Sequence, residues 1–157
     1  MRFFPHHKSL ATALLLSGWF VLESRGAMEL SEGEFVHVVN QVTMGESGKA
    51  KPADKFSEQT PVATGNSSFA EVKFKDSSYL RLAPQTKLTF SSKNRVLNLA
   101  EGSLLLNTPA GNGGIRIEAD GIIGEVTGTT LMASRDKEGN FGFVILETGG
   151  KAKVQSN

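Results

Sequence analysis

No cysteine occurs anywhere in the 157 residues. Disulfides, thiolate metal sites and cysteine nucleophiles are therefore excluded, and the fold has to hold by packing alone. Histidine is almost as scarce. Of the three, His6 and His7 fall in the N-terminal leader, which leaves His37 as the sole imidazole beyond it. One histidine without cysteine cannot make a Ser-His or Cys-His relay, nor supply two ligands to a zinc ion. His37 sits between Val36 and Val38 and reads as part of a strand face. The longest apolar run, Leu10 to Leu22, has 13 residues, whereas a bilayer core takes about 20. Neither sign of charge is in excess, with 17 basic and 16 acidic residues. No global field argues for nucleic acid or an acidic membrane surface. Beyond the leader, no segment carries the 3.6-residue periodicity of an amphipathic helix.

The leader reads as a secretory signal. Arg2 and Lys8 form a basic start, the short apolar run follows, and Ser24-Arg25-Gly26 places small residues where a signal peptidase looks. Cleavage near Gly26 leaves residues 27–157, with 14 basic and 15 acidic residues. That length buries a real core without staples. The expected product is periplasmic or secreted and keeps no stable membrane span.

What is present is alternation. Ala70, Val72 and Phe74 share one parity, with Glu71, Lys73 and Lys75 on the other. Leu80 and Leu82 alternate with Tyr79 and Arg81, and Leu88 and Phe90 with Lys87 and Thr89. Period-two alternation marks strands with one wet and one buried face, and the Asp, Ser and Pro between these runs are turn formers. Further strands are expected at Glu34 to Val42, Arg95 to Ala100 and Ser103 to Thr108, the last two on either side of Glu101-Gly102. Others follow at Ile115 to Glu118, Ile122 to Val126, Thr127 to Met132, Phe141 to Glu147 and Ala152 to Val154. Gly45 to Gly65 reads as a long irregular connection with short strands near Phe56 and at Pro61 to Ala63. Asp136 to Asn140 is a hairpin turn. The spacing predicts an all-β single domain of about ten short strands, a solenoid-like or sandwich-like sheet that is antiparallel or wound.

Several of these runs, taken in order, resemble the FecR-type periplasmic domain. They are Ala63-Thr64-Gly65, Phe69 to Phe74, Asp76-Ser77, Leu80-Arg81-Leu82, Pro84, Leu88-Thr89-Phe90, Leu97-Asn98-Leu99 with Glu101-Gly102, Leu104 to Leu106, Thr108-Pro109, Val126 to Thr130 and Val144 to Glu147. The resemblance spans Phe35 to Val154 and implies an exported β domain of the recognition or envelope-scaffold kind. Two departures stand out. Ser77 occupies a turn position where glycine is common, and only Met1 to Ser9 precede the apolar run. That leaves no room for the cytoplasmic anti-sigma segment of the family's signalling members, so direct gating of a sigma factor does not carry over.

Candidate chemistry is sparse. Glu118, Asp120 and Glu125 lie close in sequence, and Asp136 and Glu138 share a turn. Such acids serve glycoside hydrolysis or calcium, but both groups read first as turn chemistry. Pro109 to Gly114 has the glycines of a phosphate loop but lacks the Lys-Ser/Thr and the following helix. No catalytic residue, metal or cofactor is expected. If the three alternating runs pair in order, Lys73, Lys75, Tyr79, Arg81 and Lys87 project from one face as a basic strip beside Glu71. Phe69 shares that outward parity. These residues are the expected contact site for an envelope protein or anionic glycan. The alternative is a self-associating scaffold module of the envelope, with a carboxylate-dependent hydrolase a distant third.

Overall fold

A computed structural model of the chain describes residues 30, 32–46, 48–147 and 149–156. The expected signal, 1–26, lies outside the described residues. Among the described residues no helix is long and apolar enough to cross a membrane. The described residues form fourteen strands: β1 (Gly33–Val39), β2 (Val42–Met44), β3 (Gly48–Lys49), β4 (Lys55–Phe56), β5 (Val62–Thr64), β6 (Phe69–Phe74) and β7 (Tyr79–Leu82), then β8 (Lys87–Ser91), β9 (Val96–Asn107), β10 (Ile115–Ala119), β11 (Ile122–Thr127), β12 (Thr130–Arg135), β13 (Phe141–Ile145) and β14 (Lys151–Ser156). The domain is all-β, as the alternation predicts.

The strands belong to one sheet that curls through β9. The N-terminal half of β9 pairs with β8 and β10, and its C-terminal half pairs with β7 and β12. A front limb thus runs β4-β1-β6-β7-β9-β12-β13, and a rear limb runs β3-β2-β5-β8-β9-β10-β11-β14. Pairing is antiparallel except between β9 and β10. The limbs close on each other through phenylalanines: Phe56 and Phe74 of the front meet Phe90 of the rear at ring-centroid distances of 4.6 and 5.7 Å. At the other end, Phe143 of β13 seats against Gly124 of β11, where an added Cβ would lie 2.5 Å from the ring.

The alternating parities point where the sequence predicts. Val72, Phe74, Leu80, Leu82, Leu88 and Phe90 are all buried in the core, and Lys73, Lys75, Arg81 and Lys87 are exposed. The 45–65 connection supplies β3, β4 and β5, and its Phe56 is fully buried.

Three expectations change. Glu34 to Val42 is not one strand: Asn40, at φ +59°, ends β1 after Val39, and Val42 opens β2 on the rear limb. Arg95 to Ala100 and Ser103 to Thr108 are not separate strands around a turn at Glu101-Gly102. They are one bent strand of 12 residues. The ladder with β8 slips by one residue next to Ala100, and Gly102 has φ +94°. This bulge and bend switch the inward parity from Leu97 and Leu99 to Leu104 and Leu106 and carry the strand from one limb to the other. Thr86 pins the bend, its Oγ1 accepting from Ser103 N at 3.0 Å and donating to Ser103 O at 2.9 Å. Likewise, the Thr-rich strand starts only at Thr130, because Gly128 takes φ +65° and breaks it. Ser77, standing where glycine is common, does adopt a left-handed conformation at φ +67°.

Candidate functional site

The outer face of the front limb carries the densest chemistry. Strand register lines up one row across six strands: His37 of β1, Glu71 of β6, Arg81 of β7, Leu105 of β9, Met132 of β12 and Val144 of β13. A bulge at Val36 in β1 brings His37 into the row.

At the head of the row, Glu71 is the hub. Its parity is outward, yet only 7% of it is accessible, because its neighbours fold over it. Arg81 clasps Oε1 with Nε at 2.7 Å and with Nη2, and the Tyr79 hydroxyl donates to Oε2. His37 Nδ1 stands 3.9 Å from Oε2, and the Phe69 ring meets the His37 ring edge-on at 5.3 Å. Burial pushes the Glu71 carboxyl up, but hydrogen bonds from Tyr79 and Arg81, together with the Arg81 charge, outweigh it and hold the carboxyl below its ordinary value. Burial pushes the Tyr79 phenol up, and the Glu71 carboxylate it bonds adds to that shift.

Beside this network lies an apolar groove of about 370 Å³, lined by Phe69, Arg81, Leu82, Leu105 and Met132 among others. Met132 is 41% and Val144 47% exposed, so the row stays apolar to the limb's edge. Leu105 belongs here because three successive leucines in one strand must send the middle one outward.

The expected basic strip does not assemble as one patch. β9 lies between β7 and β8, so the three runs do not pair in order. Phe69, Tyr79 and Arg81 come together around Glu71. Lys73 and Lys75 line a separate hollow with Glu32, Glu34 and Lys55. Lys87 sits on the rear limb, paired with Glu101 at 3.2 Å. It borders a polar concavity of about 670 Å³ that also includes Gln41, Asn66, Gln85 and Arg135.

The acids weighed as catalytic or calcium ligands serve turns and strands. Asp120 accepts from Arg135 Nη2 at 3.1 Å, and Asp136 binds Asn140 across the β12–β13 turn. Glu118 and Glu125 lie on neighbouring strands at different register positions, opposite Ile123 and Arg116. Among the described residues, no three His, Asp or Glu side chains gather as a metal site would need.

The fold and this face define a small, curled all-β domain whose chemistry lies on a sheet surface and in open hollows. The family described as FecR protein matches residues 60–149, and the chain belongs to that family. No curated protein and no solved structure matches it.

Proposed function

We propose that this chain is an exported envelope domain, periplasmic or secreted, that binds a partner through the outer face of its front limb. Its membership of the FecR family and its basic, then apolar, N-terminus support the envelope setting. The observation that carries the reading is the apolar groove of Phe69, Leu105 and Met132 set against the Arg81–Glu71–Tyr79 network. Aromatic residues, methionine and arginine are the types enriched where protein partners dock. A network already locked by hydrogen bonds presents its polar groups without further ordering cost. An apolar side chain of a protein partner fills the groove in this reading. A photo-crosslinking residue at Met132, compared with one at Arg116 on the rear limb, tests it in the intact envelope. A distinct adduct from Met132 supports the reading, with its affinity for the purified domain falling at least about tenfold on Phe69→Ser. The same products from both positions, or no loss on Phe69→Ser, overturn it.

A glycan is the second reading, favoured by the polar concavity around Lys87. The side-chain amides of Gln41, Asn66 and Gln85 border it together with Lys87 and Glu101, and donor and acceptor groups of this kind pair with sugar hydroxyls. Binding of envelope oligosaccharides that is lost on Gln85→Ala and kept on Phe69→Ser supports this assignment over the first.

A further inference from the structure

Among the described residues the sheet has four edges, and they are not treated alike. β4 and β3 are two residues each and carry Lys55 and Lys49. β14 is longer but carries Lys151 and Lys153. Lysine and brevity are the standard protections of an exposed edge against pairing with another chain. β13 has neither. It is five residues long, Phe-Gly-Phe-Val-Ile, with no charge and no proline. Among the described residues it pairs with β12 alone. Val144, Ile145 and the following Leu146 are 47%, 49% and 52% exposed.

Its backbone is also oriented to accept a strand. Leu146 N donates to Thr130 O at 2.8 Å, and Asp136 N to Asn140 O at 3.1 Å. In an antiparallel ladder the bonding direction alternates, so Phe141, Phe143 and Ile145 turn their N–H and C=O groups to the open side.

We propose that β13 is a strand-addition edge whose occupant is β13 of a second copy, joined about a two-fold axis at Phe143. In that register Phe141 faces the second copy's Ile145, Phe143 faces its own counterpart, and every outward amide finds a partner. Aromatic–aliphatic pairs then fill the inner face, and Val144 packs over the second copy's Gly142 on the outer face. A closed two-fold contact is self-complementary, and the absence of charge from Phe141 to Leu146 lets like meet like without repulsion. A second copy of β14 would instead oppose its lysines. Stable interfaces bury roughly 1,200–2,000 Å² in total, and a single five-residue strand pair supplies about half of that or less, so the dimer is weak and concentration-dependent. The inference concerns a sheet edge and stands apart from the groove on the sheet face.

Sedimentation velocity of the purified chain, from low micromolar to millimolar concentration, tests it alongside amide exchange. The expected result is a monomer–dimer equilibrium in which the Phe143 and Ile145 amides gain protection as the dimer forms. Val144→Lys weakens it at least about tenfold, and Val154→Lys on β14, a residue of similar exposure, leaves it unchanged. Amide-exchange spectra report that each variant is folded. A chain that stays monomeric throughout overturns the proposal, as does a dimer indifferent to Val144→Lys or equally sensitive to Val154→Lys. So does protection of β13 that needs another envelope protein, which would assign the edge to that partner.

Discussion

Arg95 Nη2 meets Asp76 Oδ2 at 2.7 Å with both side chains buried, 6% and 0% exposed. The pair ties together three loops. Asp76 shapes the β6–β7 turn, its Oδ1 accepting from Ser78 N at 2.8 Å, while Asn112 of the β9–β10 loop donates to Asp76 O at 2.8 Å. Arg95, at the end of the β8–β9 turn, donates from Nε to Gly114 O at 2.8 Å.

Removing either member breaks a buried charge-assisted contact, which costs about 3 to 5 kcal/mol. Arg95→Met and Asp76→Leu are each expected to lower urea stability by that amount. The double variant should lose less than the sum of the two, since each single change already breaks the same contact. Strict additivity would show that the pair is not coupled.

Phe74 lies at 2% exposure between Phe56 and Phe90. Phe74→Ala is expected to cost about 3 to 5 kcal/mol, as large-to-small core changes do. Lys73→Ala, one residue away on the wet face, should cost no more than about 0.5 kcal/mol. Equal losses in urea melts would contradict the register described here.

Glu71 makes stability depend on acid. Its carboxyl is held below its ordinary value of 4.5 in the folded chain, so the unfolded chain takes up its proton first as pH falls. The stabilisation is complete above that ordinary value and is lost as pH drops through the lower folded one. Wild type should therefore lose stability below about pH 4.5 more steeply than Glu71→Gln. Tyr79 has the opposite sense. Its phenol is raised above 10, so its contribution is whole below that pH and fades as pH climbs past it, a fading that Tyr79→Phe should remove. Denaturation midpoints across the pH range read both, and parallel profiles for wild type and variants would contradict them.

Gly102 combines φ +94° with a backbone neighbour, Thr86 Cα, 2.4 Å from where a Cβ would stand. The left-handed conformation and the clash add, so Gly102→Ala should cost more than about 2 kcal/mol. Gly121, also at positive φ but with nothing within 4 Å, is the control. Gly121→Ala pays the conformational cost alone, and a loss as large as that at Gly102 would show that the Thr86 contact is not responsible.

The faces of the strands were legible and their neighbours were not. One wet and one dry side force a period of two, and that period names Val72, Phe74, Leu80 and Leu82 as core without any knowledge of topology. Nothing local says that β9 slides between β7 and β8, and that single insertion divides the expected basic strip. Glu101-Gly102 looks like a hairpin turn because inward parity flips across it, and a bulge with a bend flips parity just as a reversal does. In the sequence Arg95 reads only as the start of a strand, since arginine is rarely buried without a partner and Asp76, which it meets, is 19 positions away. Tyr79 and Arg81 are legible because they hold the outward parity of the alternation, and Phe69 because it is an aromatic on that same parity. Leu105 and Met132 complete their groove from strands that only the fold brings beside them.

Because β9 belongs to both limbs, the order of synthesis matters. Until β6 arrives β1 has only the two-residue β4, β6 then needs β7, and β7 has no second neighbour until β9 arrives. On the rear limb, β8 likewise closes only against β9. A nascent chain that has not yet reached Val96 therefore holds the first eight described strands with no central one to join them. Nor can half of this domain be released as an independently folded piece, because a cut inside β9 leaves each limb with an open apolar flank. Folding is therefore expected to be committed late, once β9 is available to both limbs.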